Sequence, residues 1–144
     1  MKRKVSVLHK RLFLLFFILA GLILTLPSCS SDDLAPDSIG GKEYRISIES
    51  GSGEMSSIGS SIIAFDRNGR YKIDGDDVYT ASDTGTYTYK KKDARTGMVA
   101  LTSSEIDGYQ ESSTFEFVEK RSGKYSARTT TGDAGEQTGT FNEI

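Results

Sequence analysis

Four carboxylates within ten residues, Asp74, Asp76, Asp77 and Asp83, form a dense group of acidic side chains. Hard cations such as calcium take oxygen ligands, so Asp74-Gly75-Asp76-Asp77 with Asp83 is the place to look for a metal site. The spacing is not that of an EF-hand loop, and the bidentate Glu such a loop needs at its twelfth position is missing. Acidic residues in a solvated loop are the ordinary case, which leaves the four as weak metal candidates and no metal expected. Lys90-Lys91-Lys92, beside Asp93 and Arg95, is the positive counterpart. Such a run can hold an acidic glycan or a phosphate, but it also suits a solvated hairpin tip, where lysines discourage edge-to-edge strand pairing.

The elements that position these residues begin after an unusual N-terminus. Residues 1–11, MKRKVSVLHKR, carry five positive charges and no acid, and Leu12–Leu26 is an uncharged apolar run of fifteen residues. A membrane-crossing helix needs roughly 20 such residues, so the run has the proportions of a signal-peptide core instead. Leu26-Pro27-Ser28-Cys29 then resembles the lipobox of bacterial lipoproteins. That resemblance implies cleavage before Cys29, acylation of its sulfur and amine with palmitate-type chains, and attachment to a membrane by a lipid anchor. Ser30-Ser31-Asp32-Asp33 is similar to the Ser/Asp-rich export signals of Bacteroidota-type lipoproteins. It implies the outer membrane and the cell surface, with a periplasm-facing orientation as the alternative.

Cleavage there leaves 13 basic against 20 acidic residues, a formal charge of −7, which disfavours nucleic acid as a partner. His9, the one histidine, would leave with residues 1–28, and the chain has no tryptophan. Without His or a free thiol there is no Ser-His or Cys-His nucleophile pair and no imidazole or thiolate metal site. The expectation is a protein that is not an enzyme, with no catalytic residues and no cofactor.

Residues 29–38 have the polar, proline-bearing composition of a flexible tether. Residues 39–144 are one domain in length, and strand alternation runs through them: Tyr44/Ile46/Ile48, Ile63/Phe65, Tyr71/Ile73, Tyr87/Tyr89, Val99/Leu101, Phe115/Phe117 and Tyr125/Ala127. A period of two with one apolar face predicts half-buried antiparallel strands near 42–49, 58–65, 70–74, 84–91, 98–104, 112–119, 124–131 and 137–143. Turn-forming stretches such as Asp66-Arg67-Asn68-Gly69 separate them, which favours a meander of sequential neighbours.

The chain also resembles itself. Gly69-Arg70-Tyr71 and Thr84-Gly85-Thr86-Tyr87 recur 54 residues later as Gly123-Lys124-Tyr125 and Thr138-Gly139-Thr140-Phe141. Two four-stranded units that close on each other bury their apolar faces and pair their edges. An all-β, eight-stranded antiparallel up-and-down barrel is therefore expected, with a two-sheet sandwich as the alternative. The repeat also tests Asp83-Thr84-Gly85, the tripeptide of aspartic proteases: the second aspartate that mechanism needs is replaced by Gln137. The hairpin motifs Gly-x-Tyr and Gly-Thr-Tyr resemble those of the small lipocalin-like barrels of bacterial lipoproteins. That resemblance implies a binding or interaction module whose ligand is an apolar small molecule, a glycan or an envelope protein. The alternative is an inhibitor or accessory protein of an envelope enzyme, similar to lysozyme inhibitors. Core or ligand-lining candidates are Tyr44, Ile46, Ile63, Phe65, Tyr71, Tyr87, Tyr89, Leu101, Phe115, Phe117, Tyr125 and Phe141. Inward tyrosines need hydroxyl partners, and an eight-stranded barrel is just wide enough for side chains to fill it, so a filled interior is favoured over an open one.

Overall fold

The structure, a computed structural model, describes residues 32–75, 82–132 and 134–144. Cys29, Asp76 and Asp77 lie outside the described residues, as does the N-terminal apolar run. The period-two segments form eight strands: β1 (Lys42–Ser52), β2 (Gly59–Phe65), β3 (Arg70–Gly75), β4 (Asp83–Lys91), β5 (Thr96–Ser103), β6 (Gln110–Glu119), β7 (Ser122–Thr129) and β8 (Glu136–Glu143). Each pairs antiparallel with its sequence neighbour, and β8 pairs back onto β1, closing the barrel. Closure removes every sheet edge, which is why the barrel and not the two-sheet alternative is formed.

β1 runs three residues past its predicted end, through a register shift between Ile48 and Ser50, and leads into a single 3-10 turn, Gly53–Met55. The internal repeat survives in the register. Tyr71 pairs with Gly85 on the next strand, and Tyr125 pairs with Gly139. Both glycines leave room where a side chain would collide: a Cβ at Gly85 would stand 2.8 Å from the Tyr71 ring.

Apolar side chains fill one half of the interior. Tyr44, Phe65, Phe115, Phe117 and Phe141 are buried and meet edge to face or tilted, with centroids 4.9–6.2 Å apart. Such pairs contribute about 0.5–1.5 kcal/mol each beyond the area they bury. Ile63, Val99 and Leu101 complete this core.

The segment before β1 seals that end. Composition predicted a flexible tether up to Ser38, and from Leu34 onward the chain is docked instead. Ala35 and Ile39 are 2% and 3% exposed and belong to the core, with Leu34 packed against it. The amides of Leu34 and Ala35 donate to the Ala94 carbonyl in the β4–β5 turn, at 2.8 and 2.9 Å. The Tyr89 hydroxyl donates to the Pro36 carbonyl at 2.6 Å. Of the three lysines at the end of β4, Lys91 clasps this strap by ion pairs to Asp33 (2.7 Å) and Asp37 (2.9 Å). Those two acids hold the Lys91 ammonium above its usual pKa.

Candidate functional site

The other half of the interior is polar, and its charged groups come from strand alternation. In β6, Glu111 and Ser113 share the inward face with Phe115 and Phe117, two residues apart along the strand. In β4, Asp83 shares the inward phase of Gly85 and Tyr87. Asp83 is the first residue of β4, Ser103 the last of β5 and Glu111 the second of β6. An up-and-down barrel therefore gathers all three at the end opposite the strap, with the 3-10 turn.

Hydroxyls ring both carboxylates. Glu111 is 6% exposed; its Oε1 accepts from Ser113 at 2.5 Å and from Tyr125 at 3.0 Å, and its Oε2 accepts from Tyr109 at 3.2 Å. Asp83 accepts from Tyr71 at 2.5 Å and from Ser103 at 2.7 Å. Burial pushes the Glu111 carboxyl above the ordinary glutamate range, against the downward pull of the Ser113, Tyr125 and Tyr109 hydroxyls. Desolvation first, then Asp83, likewise raises the Tyr71 hydroxyl; desolvation and then Glu111 raise Tyr109. These phenols stay protonated and remain donors.

A cavity of about 200 Å³ lies over this cluster. Ile46, Ile48, Met55 and Ile73 supply its apolar lining and Glu54, Asp83, Tyr109, Glu111, Tyr125 and Gln137 its polar lining, with Ile73 beside Asp83 as its register partner. It reaches the surface, since exposed Glu54, Ser82 and Ile106 also line it. Among the described residues, no lysine, arginine or histidine lines it. Larger depressions of about 300 and 410 Å³ lie over β6–β8, bounded largely by outward side chains such as Thr114, Ser126 and Thr138. They are troughs between exposed residues and gather no buried charge.

Of the residues expected to form core or lining, Ile46 and Tyr125 border the cavity, while Tyr44, Ile63, Phe65, Leu101, Phe115, Phe117 and Phe141 are packed core. Tyr71 serves the site through Asp83. Tyr87 and Tyr89 face the sealed end, where the Tyr87 hydroxyl donates to the Asp66 carbonyl at 2.7 Å. The metal candidates that can be placed are not brought together. Asp74 is exposed and paired with Lys72 at 2.8 Å, whereas Asp83 points into the barrel. Sequence reading missed Glu111, Tyr109 and Glu54. The signal for Glu111 was present, an acid in phase with Phe115 and Phe117, but it fell one residue before the predicted start of its strand.

No family model matches the chain, and no curated protein matches it. A solved structure from Burkholderia vietnamiensis, described as a candidate beta-lactamase, is similar over 76% of this chain and 99% of that one. The TM-score is 0.55 and the identity 17%, so the likeness is one of fold.

Proposed function

We propose that the protein is a lipoprotein of the outer membrane, anchored through acyl chains on Cys29 and displayed at the cell surface. Its barrel serves as a binding module that takes a small ligand at the open end without transforming it. The observation that supports this reading is the one-ended interior, filled and strapped at one end and hollow over Glu111 and Asp83 at the other.

Binding fits this geometry better than catalysis. The hydroxyls that touch the carboxylates most closely, Ser113 on Glu111 and Tyr71 on Asp83, are 1% and 3% exposed and beyond the reach of a substrate. The lactamase description belongs to the structural relative, and at 17% identity the likeness carries the fold alone.

Native mass spectrometry of the protein purified from its own host tests the reading: a retained small molecule is expected, displaced when the cavity is filled by Ser61→Leu. Preparations that hold no ligand in any growth condition would count against it. Replacing Cys29 with Ser is expected to move the protein out of the membrane fraction, and protease treatment of intact cells to digest the barrel.

One observation favours the alternative of an accessory or inhibitory protein. Ile58 and Ile106, on the connections at the open end, are 58% and 52% exposed. Exposed aliphatics beside a cavity suit contact with a protein. A stoichiometric complex with an envelope enzyme, abolished by Ile106→Asp, would establish that role.

A further inference from the structure

We propose that the cavity takes a small organic cation, a primary or secondary ammonium on a short apolar body, with the ammonium on Glu111 and Asp83 and the body against Ile46, Ile48 and Ile73. This rests on the reading of the barrel as a ligand-binding module, and it states which ligands that module selects.

Charge makes the selection. Three carboxylates, Glu54, Asp83 and Glu111, line the cavity, and among the described residues no cationic side chain joins them. Glu111 lies deep in the barrel, 6% exposed, and its partners there are the neutral hydroxyls of Ser113, Tyr125 and Tyr109. A carboxylate offers about four acceptor positions. Glu111 uses three of them in these bonds and Asp83 two. The open positions take a further donor, and one that carries positive charge also offsets the cost of ionising buried Glu111, which otherwise holds a proton.

The walls set the rest of the ligand. An anion is repelled by all three acids, and a polyol finds acceptors but wastes the isoleucine lining. An alkylammonium satisfies both surfaces. The volume of about 200 Å³ holds only a small one, since each water in liquid occupies about 30 Å³ and the cavity thus equals roughly seven waters.

Three probes with one four-carbon body decide the matter: n-butylammonium, 1-butanol and butyrate. Each is titrated into the full-length protein in detergent while the methyl resonances of Ile46, Ile48 and Ile73 are followed by NMR. Butylammonium is expected to shift these methyls and to bind at least about tenfold more tightly than 1-butanol, the increment typical of a charge-assisted bond. Butyrate should leave the methyls unmoved. In Glu111→Gln the preference for the cation should fall to near unity. Should that variant fail to fold, Asp83→Asn and Glu54→Gln, at less buried positions, should each reduce it. If 1-butanol or butyrate binds at the isoleucines as well as the amine does, or if no acidic variant changes the ratio, the cation specificity is overturned while the binding reading stands. If none of the three probes moves these methyls, both are overturned.

Discussion

The Tyr125 hydroxyl donates to Glu111 Oε1 across 3.0 Å, joining β7 to β6 inside the polar half of the barrel. Tyr71 makes the corresponding bond to Asp83 from β3 to β4. Each tyrosine faces a glycine on its other neighbour or the same one: Tyr125 pairs with Gly139, Tyr71 with Gly85. The repeat thus delivers two tyrosines in like positions, and each finds a carboxylate. These acids occupy unlike positions, because the counterpart of Asp83 is Gln137, and the second acid comes from β6 instead. The two halves share a scaffold and differ in where their charge sits.

Glu111 should make stability pH-dependent in a recognisable direction. Its folded pKa lies above the ordinary value of 4.5. Between those two values the folded protein holds a proton that the unfolded chain has released, so stability falls as pH rises through the window and stays lower above it. Asp66 and Asp93 act in the opposite sense, since backbone amides lower their pKa values and their contribution is lost on acidification. Comparing denaturant unfolding of the wild type with Glu111→Gln from pH 4 to 8 isolates the first effect. The variant should gain on the wild type as pH rises. Parallel curves would show that Glu111 titrates normally.

Removing the donor should do the reverse. Tyr125→Phe deletes a bond that stabilises ionised Glu111, so the carboxyl pKa should move further up. Stability at neutral pH should drop by about 1–3 kcal/mol, the cost of an under-satisfied buried charge. Urea midpoints together with a carbon-detected titration of Glu111 would read both changes.

Tyr44 offers the opposite case. It is fully buried against Phe65, Phe115 and Phe141, and its hydroxyl is the one buried side-chain polar atom without a hydrogen-bond partner among the described residues. Tyr71, Tyr87, Tyr89 and Tyr125 all find acceptors. Tyr44→Phe keeps the ring contacts and removes the unpaired group, so it should raise stability by about 1 kcal/mol. A loss of that size in thermal unfolding would reveal a partner for the hydroxyl.

These contrasts show why the fold was legible and the site was not. Alternation reports which face of a strand is inward, and Tyr44, Phe65, Phe115 and Phe117 announced their strands because their burial and their period agree. The site breaks that agreement: Glu111 and Asp83 are polar residues in inward phase, and periodicity treats them as strand ends. Nor does composition distinguish a loose tether from a strap. Leu34, Ala35 and Ile39 have too little apolar area between polar neighbours to signal docking, and the acceptor of the Leu34 and Ala35 amides, Ala94, is some 60 residues away in the chain.

The strap yields the last prediction, in which apolar burial should outweigh its ion pairs. Lys91 holds Asp33 and Asp37 in contacts whose acids are well exposed, and such pairs are screened by salt and contribute little. Ile39 is 3% exposed, and truncating a buried isoleucine costs about 2–5 kcal/mol through lost transfer energy and the cavity left behind. Ile39→Ala should therefore lower the unfolding midpoint strongly and Lys91→Ala hardly at all, least of all in high salt. Gly97 supplies an independent route to the same end: a Cβ there would lie 2.5 Å from the Tyr89 ring, whose hydroxyl holds Pro36. Gly97→Val should push Tyr89 aside and release residues 34–38, so limited proteolysis should cut there while the Glu111 end of the barrel keeps its ligand-sensitive methyl shifts. Equal loss at both ends would mean that the strap and the cavity belong to one cooperative unit.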